Sequence, residues 1–188
     1  MQINKKMNLV VTVETDNGNV YVHSRPLMKE VYKENFLALS KTYAAIFGQG
    51  LSIIAGPRSA YYMLEAICKQ SEVWEGERGV KNTLVREIIR NSTAILPVEG
   101  KGWEEMPLEV AIERGHIDDD EVLGELVFFM CVSAVNKRSQ IAEVMTEASS
   151  IWGNAYTSQT STEWIKSLPT LTKEESTGES QTTSSVPS

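Results

Sequence analysis

The chain has 188 residues, of which 41% are hydrophobic, enough for one core of ordinary size. Its net charge is −7 at pH 7 and its lysines and arginines are scattered, which argues against binding to nucleic acid or to an anionic membrane. No apolar run has the length of a membrane helix or of a signal-peptide core, and we expect the protein to stay in the cytoplasm of the cell that makes it.

A β-hairpin is predicted at the N-terminus, where residues 9–15 and 20–24 read as strands. Asp16-Asn17-Gly18-Asn19 lies between them, and Asn-Gly tolerates the positive φ angles of a two-residue turn. This register pairs Thr15 with Val20 and Val13 with Val22. It places four valines on one face, which must pack on something because an isolated hairpin is marginal in water. These valines are Val11, Val13, Val20 and Val22.

Helices are predicted for most of the remaining chain. Apolar residues recur at helical spacing over 27–47, 60–67, 80–89, 122–132 and 141–152, and a short helix is predicted from Pro107 to Gly115. Pro26 and Pro57 are placed at helix starts, where a missing N–H costs nothing, and residues 97–102 are read as a break. The predicted fold class is mainly α, with the hairpin packed on a compact bundle of about five helices and a flexible C-terminal tail.

An acidic run, Asp118-Asp119-Asp120-Glu121, is the most conspicuous candidate site. Asp118 as an N-cap, with Glu121 three residues on, accounts for it as the start of a helix, and the spacing of a Ca²⁺ loop is absent. His23 and His116 have no cysteine close in sequence, so the spacing of a zinc site is absent too. We therefore predict no catalytic, cofactor or metal site, while an enzyme with a site assembled from distant residues stays open.

Composition changes after Tyr156, and the predicted boundary divides a folded domain, 1–156, from a Ser/Thr-rich tail, 157–188, expected to be disordered. Inside this tail Trp164, Ile165 and Leu168 form a short apolar motif. Either the motif docks on its own domain or it is a linear motif that binds a partner. Arg58, in the first turn of a predicted helix, is a further candidate for contact with a partner.

The sequence resembles the tail assembly chaperones of long-tailed bacteriophages. The resemblance rests on pattern rather than on a catalytic signature, and it covers most of the chain. It is carried by the hairpin around 16–23, the helix run from Pro26, the Gly56-Pro57-Arg58 stretch, the segments 103–115 and 149–153, and the polar tail with its motif at 163–170.

The resemblance implies a protein of the host cytoplasm that is absent from the finished virion. It implies that several copies bind the long apolar helices of the tape measure protein, keep them soluble and help to recruit tail tube subunits, with no cofactor. The alternative left open is a structural component of the tail or of the head-tail connector. That alternative needs a larger sheet than one hairpin supplies.

Overall fold

A computed structural model describes residues 6–171 of the chain. These residues contain both helices and strands, joined mostly by short connections. The strands are β1 (Asn8–Thr15), β2 (Gly18–Ser24), β3 (Ser92–Val98), β4 (Gly102–Pro107) and β5 (Ala155–Thr157). The helices are α1 (Lys29–Glu34), α2 (Phe36–Gly48), α3 (Ser52–Gln70), α4 (Arg86–Arg90), α5 (Leu108–Glu113), α6 (Asp119–Val135), α7 (Arg138–Trp152) and α8 (Ser161–Ser167), and a π-helical turn (Lys81–Val85) leads into α4.

The five strands form one sheet in the order β4-β3-β2-β1-β5, and every neighbouring pair is antiparallel. The predicted fold class is therefore wrong: the chain is α+β, with a five-stranded sheet instead of a hairpin on a bundle of about five helices. The difference comes mainly from β3 and β4, since residues 97–102, predicted as a break between helices, belong to a second hairpin. Ser92–Val98 includes a proline and Gly102–Pro107 carries adjacent glutamates, so neither shows the regular alternation that marks a half-buried strand.

The predicted N-terminal hairpin is present, but its register differs by two residues. Thr15 pairs with Gly18 and Val13 with Val20, so Asp16 and Asn17 form the turn and Gly18 follows with φ 105°. Because side chains alternate with a period of two, a shift of two residues leaves every side chain on its predicted face. The face formed by Val11, Val13, Val20 and Val22 is buried, as predicted.

The helical layer covers this valine face of the sheet, with α6 at its centre. α6 packs against β1 on one side and against α2, α3 and α7 on the others. Ten of its residues are buried. Two of the largest fully buried side chains in the described residues, Phe128 and Phe129, belong to it.

Pro57 lies inside α3, which begins at Ser52, so the predicted helix start at Pro57 is wrong. A proline at this position cannot donate to the carbonyl oxygen of Ile53, four residues earlier. The indole Nε1 of Trp152 donates to that oxygen at 3.0 Å. The last residue of α7 thus supplies the hydrogen bond that the proline removes, and α3 continues without a break.

Part of the segment predicted as a disordered tail forms regular structure. Thr157 ends the edge strand β5 (155–157), which pairs with β1 and begins in the predicted domain, and residues 161–167 are α8. The expectation of a mobile tail also covers residues 172–188, which lie outside the described residues. No helix within residues 6–171 combines the length and the apolar character needed to cross a membrane.

Candidate partner-binding surfaces

α8 is a short helix that carries its own start signal. The side chain of Thr160 accepts from the backbone N–H of Glu163 at 3.2 Å, and the Glu163 carboxylate accepts from the backbone N–H of Thr160 at 2.8 Å. This reciprocal pair is a capping box, which satisfies two of the donors that a helix start leaves free. The helix ends before Pro169, which cannot continue it.

The partner-binding motif predicted in the tail lies on this helix, and the helix rests on the outer face of the sheet. The ring of Trp164 stands edge-on to the ring of Tyr21, with 5.9 Å between centroids, and Tyr21 in turn lies 5.5 Å from the ring of Trp103. The Nε1 of Trp103 donates to the carbonyl oxygen of Pro169 at 3.1 Å, just beyond the helix. We call Tyr21 and Trp103 the aromatic face.

The linker before α8 is held by two buried polar side chains of the sheet. Asn8 Nδ2 donates to the carbonyl oxygen of Gln159 at 2.9 Å, and His23 Nε2 lies 2.9 Å from the same oxygen. Because a carbonyl oxygen only accepts, His23 carries a hydrogen on Nε2 in this contact. The structure therefore fixes the chain leading into α8 on the sheet.

The three motif residues are only half-buried in this position. Trp164, Ile165 and Leu168 all retain partial exposure, and α8 has no fully buried residue. The Nε1 of Trp164 is buried and has no hydrogen-bond partner. The structure therefore places the motif on its own domain, in a site that leaves one polar atom of its main anchor unsatisfied.

A second surface is the groove between the start of α2 and the chain that follows α3. It has a volume of about 250 Å³. Its floor includes the buried side chains of Ala38, Cys68 and Val80, and its walls include Leu37 and Val73, which are 66% and 47% exposed. Lys41, Arg78 and Glu34 also line it. We call this the α2–α3 groove.

Other large apolar side chains are exposed on the helices and at their ends. Within residues 6–171 they are Met28, Phe36, Ile54, Tyr62, Val135 and Ile151. Single exposed apolar residues are ordinary on protein surfaces, whereas apolar residues beside a groove indicate an interaction site. Leu37 and Val73 are the exposed apolar residues that meet this second condition.

Arg58, the remaining predicted partner-binding residue, is exposed on α3. It lies near the carboxylate of Glu125. It belongs to α3 in the helical layer, whereas the motif lies much later in the chain, on α8 outside that layer. Glu125 accepts a hydrogen bond from the side-chain amide of Asn154, whose oxygen accepts from the backbone N–H of Thr12 at 2.9 Å. Arg58 therefore belongs to the edge of a network that joins α6 to β1, and the structure does not bring it together with Trp164.

Burial raises the pKa of Glu125 from 4.5 to about 7, and the hydrogen bond from Asn154 and the charge of Arg58 lower it only in part. The folded state therefore binds an extra proton between about pH 4.5 and 7. The stability that this group contributes is present below pH 4.5 and is lost as the pH rises through 7. Glu125→Gln should remove this pH dependence and stabilise the protein by roughly 2–3 kcal/mol above pH 7.

Urea unfolding measured at several pH values tests this expectation. Glu143→Gln, at an exposed position of α7, is the matched control and should follow the wild-type curve. If the free energy of unfolding depends on pH in the same way for Glu125→Gln and for the wild type between pH 4.5 and 7, the Glu125 carboxyl is not the source of that pH dependence.

The acidic run lies at the N-terminus of α6, as predicted. Asp118 Oδ1 accepts from the backbone N–H of Asp120 at 3.2 Å, which is an N-cap contact. Carboxylate oxygens of Asp118, Asp119 and Asp120 lie within 4.8 Å of one another, and all three residues are exposed. Partial burial and the neighbouring aspartates raise the pKa of Asp119. Helix capping accounts for the arrangement.

A cleft of about 520 Å³ lies where the turn of the first hairpin and residues of β3 and β4 meet the turn between α5 and α6. His116 and Arg114 line it opposite Asp16 and Glu104, above apolar side chains that include Val20. The aspartates of the acidic run do not line it, and within residues 6–171 no hydrogen bond joins His116 to another side chain. The cleft therefore does not bring His116 together with the aspartates of the acidic run.

Sequence reasoning missed the aromatic face. The predicted hairpin has Tyr21 on the face opposite its valines, and the break predicted at 97–102 left no strand to bring Trp103 onto the sheet. The available signal was the pair of glycines around Lys101, which fits a turn between two strands and would have placed Trp103 on a sheet. No protein-family model, no curated protein and no solved structure matches this chain.

Proposed function

We propose that this protein is a tail assembly chaperone of a long-tailed bacteriophage, acting in the host cytoplasm without catalytic activity and without a place in the mature virion. Several copies bind the long apolar helices of the tape measure protein and help to recruit tail tube subunits. The observation that supports this proposal best is the α2–α3 groove, where Leu37 and Val73 are exposed beside a buried apolar floor.

The size of the groove favours a protein client. Pockets for small molecules measure roughly 300–1,000 Å³, whereas the α2–α3 groove has about 250 Å³. A groove of this size takes single anchoring side chains from a helix laid along it, which is a common mode of helix recognition. Two of its three charged lining residues, Lys41 and Arg78, are basic, so a client helix with acidic residues beside its apolar stripe suits it best.

The charge of the chain supports the same role. The net charge of −7 keeps a complex soluble while an apolar surface of the client is covered. A long client offers many equivalent stretches of apolar helix. Several copies, each making one weak contact, then cover it collectively.

Co-expression with the tape measure protein of the same genome tests the proposal. The client alone should aggregate, and with this chain it should appear in the soluble fraction as a complex of many copies. Leu37→Lys places a charge at the mouth of the α2–α3 groove at an exposed position, so it should abolish this effect without unfolding the protein. Thr146→Lys, at an exposed position of α7, is the matched control and should solubilise the client like the wild type.

A second candidate function is a structural component of the tail or of the connector. The specific observation in its favour is the five-stranded sheet, which is larger than the single hairpin predicted from sequence. The sheet ends at β4, whose outer edge has no neighbouring strand among residues 6–171 and is therefore open to strand addition. Detection of the chain in purified particles, together with a client that stays insoluble on co-expression, would replace the chaperone proposal by this one.

A further inference from the structure

We propose that α8 is a self-masked client-binding motif: the aromatic face holds it in the free protein, and it is released to bind an amphipathic client helix through Trp164, Ile165 and Leu168. This inference rests on the proposed function and adds a second contact with its own regulation. It concerns a surface that the α2–α3 groove does not include, since α8 lies on the opposite face of the sheet from the helical layer.

The docked position satisfies the motif incompletely. All three apolar side chains keep partial exposure, and the buried Nε1 of Trp164 has no partner. A buried donor without an acceptor opposes docking, because in water that N–H would be hydrogen-bonded. A client helix whose apolar stripe is flanked by a carboxylate or amide oxygen would cover the same ring and supply the missing acceptor.

The segment is weakly packed, so it can open without unfolding the domain. Polar links to the sheet are made by Gln159, at the start of the segment, and by Pro169, at its end. None of the residues from 161 to 167 is buried. Local opening of such weakly packed segments requires much less free energy than global unfolding.

The motif tends to keep its helical conformation when it is released. A seven-residue helix is marginal in water on its own, but the capping box between Thr160 and Glu163 is internal to the segment and does not depend on the sheet. Ile165 and Leu168 lie one and four positions after Trp164, so one helical face presents Trp164 and Leu168 together. A client therefore meets a partly preorganised anchor on a linker that remains attached through β5.

Masking predicts opposite effects for variants on the two sides of the contact. Loss of an aromatic pair changes the docking equilibrium by a factor of about 3 to 10, and the apparent affinity of the released motif rises with the fraction that is open. Tyr21→Ala should therefore tighten client binding by about 3- to 10-fold. Trp164→Ala removes the anchor itself and should weaken binding by about tenfold or more.

The experiment measures binding of full-length variants to a fluorescently labelled helical segment of the tape measure protein. Trp103→Phe is added because it keeps a ring in the sheet and removes only the hydrogen bond to Pro169; it should tighten binding in the same direction as Tyr21→Ala. Lys166→Ala, on the exposed side of α8, is the matched control and should bind like the wild type. Hydrogen exchange of the α8 amides should accelerate in Tyr21→Ala and Trp103→Phe, with the rest of the chain unchanged.

Each outcome is decisive. Tighter binding by both face variants and weaker binding by Trp164→Ala support the masked motif. The reverse pattern would mean that the aromatic face binds the client and α8 only covers it, which overturns the inference. If the wild type binds and none of the three variants changes its affinity, the inference is overturned and the proposed function stands. If neither the wild type nor any variant binds, both the inference and the proposed function fail.

Discussion

Replacing Gly124 with alanine, which adds one carbon atom, is expected to lower the stability of this protein strongly. Gly124 lies in α6 where this helix crosses α3, and a Cβ atom there would stand 2.5 Å from the carbonyl oxygen of Pro57 and 2.9 Å from that of Arg58. Both neighbours are backbone, so relief requires the two helices to separate. We expect a loss of about 3 kcal/mol or more in the free energy of unfolding, measured by urea denaturation.

Gly48→Ala is the matched control, because it makes the same chemical change in another helix. Gly48 is the last residue of α2, and a Cβ atom there would meet nothing within 4 Å. Alanine has the higher helix propensity, so this variant should be neutral or stabilise the protein by up to about 1 kcal/mol. Equal midpoints for the two variants would show that α3 and α6 are not in close contact at Gly124.

The elements predicted best are those whose signals are local. The valine face of the N-terminal hairpin was predicted because alternation decides faces whatever the turn, and the error of two residues in register left it intact. The predicted Asn17-Gly18 turn needs positive φ at both residues, whereas in the structure Gly18 has a positive φ and Asn17 does not. The start of α6 was predicted because Asp118 caps it through a contact two residues away.

The elements that were missed depend on contacts distant in sequence. The path of α3 through Pro57 is possible because Trp152, on α7, bonds the free carbonyl oxygen of Ile53. No local signal announces such a partner, and the rule that places proline at helix starts gave the wrong boundary. The hairpin of β3 and β4 was missed because neither strand alternates regularly, and β3 is held in the sheet by pairing with β2.

The candidate site was predictable only in part, for the same reason. Trp164, Ile165 and Leu168 were recognised because an apolar motif is conspicuous in a Ser/Thr-rich segment. Their binding site on the sheet was not recognised, since Tyr21 and Trp103 come from different hairpins and meet α8 only in the folded chain. The α2–α3 groove likewise joins residues of α2 to residues beyond α3, and periodicity within one helix cannot reveal it.

The valine face predicts the second large effect, on the side of the sheet that the helices cover. Val13 is 4% exposed, and its cross-strand partner Val20 is 5% exposed. Val13→Asp would bury a carboxylate in the apolar core, and we expect a loss of several kcal/mol, about 3–5, in the free energy of unfolding. Circular dichroism melting and urea unfolding give the measurement.

Val73→Asp is the matched control for this prediction, because it makes the same substitution at a position that is 47% exposed. A surface substitution of this kind changes stability by no more than about 0.5 kcal/mol. If Val13→Asp melts like Val73→Asp, the valine face is open to solvent and the helices do not lie on it. If only Val13→Asp unfolds, the inner face of the sheet is committed to the core, and contacts with a partner fall to other surfaces such as the α2–α3 groove.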